Sequence, residues 1–192
     1  MPEMQLKEKL QRILTLEEYA AQLGYSRTCL ILAREIKVDE RVRMKCQINT
    51  CSHYQRNFMC PPFLPSLEEI RKILANYTFA LLLQLRRSLG NAGSWQEEFD
   101  QAGRWLTETL IKLEKKAFEL GFPFALGLGG GECKLCSPCA AAEGEKLCRQ
   151  PGAARPSMEA MGIDVLAVSQ KAGLPVEFTP SQLTAVGLLL ID

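Results

Sequence analysis

Four cysteines between Cys133 and Cys148, spaced C-x2-C-x2-C-x8-C, constrain this chain more than any other feature. Thiols this close together in sequence form disulfides, bind a metal ion or hold an iron–sulfur cluster, and each outcome requires a loop that turns its sulfurs toward one another. A second group lies upstream: Cys46, Cys51 and Cys60, spaced C-x4-C-x8-C, with the only histidine, His53, among them. Cys29 is the eighth cysteine.

Compartment separates the three outcomes. The opening "MPEMQLKEKLQRIL" alternates charged and apolar residues at helical spacing and has no apolar h-region before a small-residue cleavage site. The apolar runs "FALLLQL" and "VGLLLI" are strand-sized, far below the roughly 18 residues a bilayer span needs. The expectation is a cytoplasmic protein without a membrane span, in a compartment where thiols stay reduced and cysteine clusters are more often metal sites than disulfides.

At 192 residues the chain is long enough to build a core without metal, so metal here points to function rather than to a fold staple. Its 23 basic and 22 acidic residues are well mixed, without the basic stripe and interleaved aromatics of a nucleic-acid surface, so nucleic acid is not an expected partner.

Hydrophobic periodicity and capping signals give alternating elements. "TLEEYAAQLG" reads as a short helix with a capping box at Thr15 and Glu18 and a stop at Gly24. "TCLILAREIKV" reads as a strand, and "DERVRMKC" as a helical turn that delivers Cys46. Beyond the first cysteine group, Ser66 and Glu69 box a helix over "SLEEIRKILANY", and "TFALLLQLR" is the next strand. Ser94 and Glu97 start a long amphipathic helix that Gly121 ends and Gly103 weakens. The strand "FPFALGLGGG" follows, then the second cysteine group, a helix over "SMEAMGIDVLAVSQKAG" and a last strand "LTAVGLLLI".

This order, β-α-β-α-β-α-β, predicts an α/β fold, with α+β as the variant: one domain over 1–192 with a sheet covered by helices and cysteine-rich loops at 46–62 and 129–156. Each cysteine loop follows a strand, where functional groups commonly sit. An open α/β sheet and a split βαβ arrangement both fit.

The second group carries the strongest chemical signal. The first three thiols match the start of the iron–sulfur run C-x2-C-x2-C-x3-C-P, whose short gaps wrap one loop around three corners of a cubane. Gly129, Gly130 and Gly131 permit a tight turn that brings peptide N–H groups toward inorganic sulfides. The pattern departs from ferredoxin in the eight residues before Cys148 and in Gln150, which stands where the ferredoxin run approaches its proline. Zinc also suits four thiolates, although structural zinc sites usually pair two separated C-x2-C knuckles. In the first group, Pro61 and Pro62 directly after Cys60 predict an extended path that keeps the thiol in place.

Taken together, "CSHYQRNFMCPPFLPSLEE", "CKLCSPC" and "CRQPGAARPSMEAMGIDV" resemble the predicted metal-binding proteins of anaerobic bacteria and archaea, a domain of unknown function, over about Cys29 to Val168. The resemblance implies metal, foremost iron–sulfur, and brings no agreed reaction. His53 departs from the proline or small residue expected between the second cysteine and the tyrosine.

On these grounds Cys133, Cys136, Cys139 and Cys148 are the expected ligands of one [4Fe–4S] cluster, and Cys46, Cys51 and Cys60 of a second, with zinc as the alternative cofactor. The fourth ligand of the second site is open between His53, Cys29, solvent, a partner and a small substrate. Alternation within "RTCLILA" favours Cys29 as core. Tyr54, Arg56 and Asn57 are either donors to cluster sulfides or ordinary loop residues, and Arg155, Pro156 and Ser157 read first as the start of a helix with Glu159 in its first turn. No nucleophile–base pair or nucleotide fingerprint is visible, so no catalytic residue is assigned. Three functions follow: electron transfer to a redox protein partner, the leading reading; an enzyme whose three-cysteine cluster offers an open iron to a small-molecule substrate; and a zinc-binding interaction protein.

Overall fold

The computed structural model describes residues 2–89, 94–177 and 179–192. A four-stranded sheet is built from β1 (Arg27–Leu32), β2 (Phe79–Ser88), β3 (Leu126–Leu128) and β4 (Gln182–Ile191), in the order β1-β2-β4-β3 with every neighbouring pair antiparallel. β2 and β3 therefore run the same way with β4 between them. Of the two topologies the sequence left open, this is the split βαβ arrangement, and its crossover is the long helix between β2 and β3.

The apolar strands read as continuous runs because both sheet faces are covered. On one face Phe79, Leu81 and Leu83 of β2 and Leu189 and Ile191 of β4 pack against α1 (Pro2–Leu23) through Ile13, Leu16 and Ala20, and against α4 (Trp95–Glu119) through Leu106, Leu110 and Leu113. On the other face Ala80, Leu82, Leu188 and Leu190 meet Ile70 and Leu74 of α3 (Leu67–Leu74), Val168 of α5 (Val165–Lys171), and Met158, Met161 and Ile163. A one-residue register slip in β2 would exchange these two sets.

Several local expectations are met. Ser66 and Glu69 form the reciprocal capping box of α3, Ser94 Oγ accepts from the Glu97 amide at the start of α4, and Gly24 and Gly121 adopt φ of +105° and +86° at the ends of α1 and α4. The helix that carries Cys46 is α2 (Glu40–Ile48), capped by Asp39.

Three expectations are corrected. α1 starts at Pro2, well before Thr15, whose hydroxyl bonds back to the Gln11 carbonyl at 3.2 Å instead of capping. The helix expected over 157–173 forms only from Val165 onward: residues 158–162 make a turn in which Gly162 takes φ +76°, and Asp164 caps α5, accepting from the Ala167 amide at 3.1 Å. Residues 37–39 and 162–164 pair across this break, with Asp39 donating its amide to the Gly162 carbonyl at 2.8 Å and Val38 bridging Ile163. Lastly, Pro61 and Pro62 do not extend the chain after Cys60; it turns back, and the Phe63 amide donates to the Cys60 carbonyl at 3.2 Å.

β3 pairs with β4 over three residues only and then peels away at Gly129, whose amide donates to the Pro156 carbonyl and whose carbonyl accepts from Met158, both at 2.9 Å. Thr184, Ala185 and Val186 of β4 are left without a β3 partner. The cavity described next opens there.

Candidate metal centre

α2 carries Cys46 in its last turn, and the chain then reverses through Asn49, Ser52 and Gln55, all non-glycine residues at φ near +60°, before reaching Cys60. Asn49 holds the reversal by accepting the Tyr54 amide on its side-chain oxygen at 3.0 Å, as a residue tolerant of the left-handed region does. The result brings Cys46, Cys51 and Cys60 onto the wall of one cavity of about 490 Å³, together with Gly130, Gly131, Glu132, Glu159 and Thr184. The rest of that wall is apolar: Val42, Phe99, Leu106, Ile163, Val176 and Val186. Cys51 is exposed, Cys46 half-buried and Cys60 buried. Burial pushes the Cys60 thiol up to about 12, helped by the neighbouring thiols of Cys51 and Cys46, and raises Cys46 as well. A metal entering here must displace protons, so its uptake increases with pH.

The second group folds into a separate nest. Cys133, Cys136, Cys139 and Cys148 surround a small cavity closed by Asn57, Phe58, Met59, Leu135, Gln150 and Ala154. Gln150 donates its backbone amide to Cys148 Sγ and its side-chain Nε2 to Cys136 Sγ, both at 3.4 Å, and Nε2 also reaches the Leu135 carbonyl at 3.1 Å. The residue that broke the ferredoxin pattern is thus a double donor to sulfur. Burial raises the Cys133 thiol, opposed by the Leu135 amide.

This nest is fastened to α4 by Lys134. Its side chain, 5% exposed, lies across the helix at Gly103, bonds Asp100 at 2.9 Å and Glu132, and sits 4.8 Å from the centre of the Phe99 ring. A Cβ on Gly103 would come within 2.8 Å of the Lys134 Cδ and Cε, so the glycine that weakens the helix is the notch in which the lysine lies. Glu132 sits below the ordinary carboxylate range: its own burial works against this, and the Lys134 ammonium outweighs it. Arg155 forms a bidentate pair with Glu114, Nε at 2.6 Å and Nη2 at 2.5 Å, so its charge is spent on holding 152–156 to α4.

The two groups touch. Asn57, 2% exposed, donates Nδ2 to the Cys133 carbonyl at 2.9 Å and accepts the Met59 amide on Oδ1 at 3.0 Å, joining the loop of Cys60 to that of Cys133. Gly130 and Gly131, expected beside the second group, line the cavity of the first.

His53 lies elsewhere. It lines a polar cavity of about 430 Å³ with Arg56, Arg104, Cys133, Cys136 and Cys139, and its Nε2 is 3.5 Å from Glu132 Oε1. Cys29 packs into the core from β1, opposite Leu82. Sequence reasoning did not foresee Lys134, Gln150, Glu159 or Thr184 as site residues. Only Gln150 left a signal, as the departure from the expected motif.

Among the described residues no three His, Cys, Asp or Glu side chains close on a single ion-sized point. The donor set is nonetheless chemically suited to a soft metal, being thiol-rich, half-buried and served by N–H donors aimed at sulfur. The model of the DUF2284 family, described as predicted metal-binding protein, matches residues 29–191. The chain belongs to that family. Its match takes in both cysteine groups, all four strands from Cys29 onward and the Asn57 link between the loops. No curated protein and no solved structure matches. No helix among the described residues is long and apolar enough to cross a membrane.

Proposed function

We propose that this member of the DUF2284 family is an iron–sulfur protein with two [4Fe–4S] sites that passes single electrons to a redox partner. The supporting observation is the sorting of seven cysteines into a nest of four and a wall of three that meet through Asn57. Four thiolates complete the ligation of a cubane, and the nest is small, partly buried and supplied with sulfur-directed donors, as suits a group that changes charge without changing ligands. Asn57 holds the loops in contact, which favours electron exchange between the two sites.

One observation supports a second reading for the three-thiol site. That site faces a cavity of about 490 Å³, within the range of small-molecule pockets, whereas a pure relay needs no such space. There a cluster would act as Lewis acid on a small substrate, with electrons supplied or removed through the four-thiol nest.

Anaerobic reconstitution followed by iron, sulfide and zinc analysis tests the proposal. About eight irons per chain are expected, falling to about four in Cys136→Ala and, independently, to about four in Cys51→Ala. Zinc retained in place of iron and sulfide would return the protein to a non-redox role.

A further inference from the structure

The three-thiol site lacks a fourth thiol, and neither histidine nor the remaining cysteine supplies the missing ligand: His53 lines the other cavity and pairs with Glu132, and Cys29 belongs to the core. Another donor stands on the same wall. Glu159 lines the cavity with Cys46, Cys51 and Cys60, and its Oε2 is out of reach of water and has no hydrogen-bond partner. Thr184 Oγ1, on the same cavity, is also buried and unpartnered. A buried carboxylate oxygen left without a partner is rare in a folded protein and calls for an ion or another polar group that completes it.

The backbone explains how Glu159 comes to be there. It falls in the turn that Ser157 caps by accepting the Ala160 amide at 3.0 Å, and this turn is hung on Gly129 by the two bonds that form where β3 leaves β4. Gly162 ends the turn, so Glu159 is held between two fixed points instead of riding on a mobile helix end. Its neighbours Met158 and Ala160 are buried, which fixes the direction of its side chain.

We infer that Glu159 is the fourth protein ligand of the Cys46, Cys51 and Cys60 site, a carboxylate oxygen completing three thiolates. The inference rests on the iron–sulfur reading above. A carboxylate is a harder donor than a thiolate and binds iron in a cluster less firmly. With a cluster bound, the site would therefore be closed at rest and exchangeable, Glu159 being the ligand that a molecule entering the cavity would displace. Thr184 supplies a hydroxyl for that molecule or for the displaced carboxylate.

The test is spectroscopic. Wild type, Glu159→Gln and Glu159→Cys are reconstituted anaerobically, and the reduced clusters are compared by electron paramagnetic resonance and Mössbauer spectroscopy with and without 2-mercaptoethanol. In the wild type one of the four irons of the three-thiol cluster should show an oxygen-ligated signature. That signature should shift in Glu159→Gln, where a neutral amide or solvent oxygen replaces the anionic carboxylate, and this variant should respond to several-fold lower thiol concentrations, whereas Glu159→Cys should convert the site to an all-thiolate spectrum that ignores added thiol. Identical spectra and identical thiol responses in wild type and Glu159→Gln would overturn the assignment while leaving about eight irons in place. Should Glu159→Gln fail to assemble, Glu159→Cys decides alone: an all-thiolate spectrum supports the assignment and an unaltered one refutes it. A wild type with only about four irons, lost in Cys136→Ala but not in Cys51→Ala, would instead remove the three-thiol cluster itself, and the inference with it.

Discussion

The four-thiol nest and the three-thiol wall differ in how they are held. The nest is anchored from outside by charge: Lys134 locks its first turn to α4, Arg155 locks its exit to Glu114, and Gln150 reaches back to two sulfurs. The wall is held by caps and turns: an N-capped helix, three left-handed residues and the Asn57 side-chain bonds, with Cys51 left exposed. The first arrangement encloses four thiols in a tight pocket and the second borders a space large enough to admit something else. Enclosure suits a relay, and an open border suits exchange of ligands.

The largest expected effect comes from removing the anchor of the nest. Lys134→Met leaves Asp100 and Glu132 facing one another without their shared cation, and should destabilise the metal-free protein by about 2–3 kcal/mol in chemical denaturation, below the figure for a fully buried pair because Asp100 keeps a third of its surface in water. Gly103→Ala, which normally stabilises a helix by about 1 kcal/mol, should gain less than that, since the new Cβ must push the Lys134 stem aside. The full gain in Gly103→Ala, unchanged in the Lys134→Met background, would show that the lysine does not lie in the notch.

A smaller effect acts on the wall. Asp39 caps α2 by accepting the Arg41 amide at 2.9 Å, and its hydrogen bonds with Arg41 hold its carboxyl well below the usual carboxylate range. A lowered folded-state value contributes stability that is present above the ordinary carboxylate pKa and lost as pH falls through the folded one. Asp39→Ala should lower stability at neutral pH and shift acid unfolding to higher pH, and it should speed metal loss from the three-thiol site while sparing the other. Equal loss from both sites would erase the proposed difference between them.

The finest test concerns potential. Gln150→Leu removes the side-chain donor to Cys136 while leaving the backbone donor to Cys148. Hydrogen bonds to sulfur favour the reduced cluster, so the nest should become harder to reduce by about 20–60 mV, the equivalent of one net hydrogen bond for a one-electron couple. The three-thiol potential should not move in the same titration.

What could be read from the residues divides along the same line between local and distant. The α3 capping box, the glycine stops and the apolar strands depend on neighbours in sequence, and Ser66, Gly121 and "FALLLQL" announced them. Thr15 misled because its hydroxyl bonds a carbonyl one turn back as readily as it caps, and the charged residues before it form helix equally well. The break at Gly162 depends on residues 37–39 arriving from β1 to pair beside it, which no window around Gly162 contains. Within the site, cysteine spacing separated the two groups, but Lys134 against Asp100 and Glu159 on one wall with Cys46, Cys51 and Cys60 are long-range meetings that only the assembled fold produces.

The Asn57 bond to the Cys133 carbonyl spans 76 residues, and this sets an order of events during synthesis. At about 5–20 residues per second, the loop of Cys46, Cys51 and Cys60 leaves the ribosome roughly 4–15 s before the segment that fastens it. Its thiols spend that interval unfastened and open to oxidants and stray ions, and Glu159 arrives later still. On the proposed function, a cofactor for this loop would find its site complete only once the last third of the chain has emerged, which would make the younger end of the polypeptide the gatekeeper of the older.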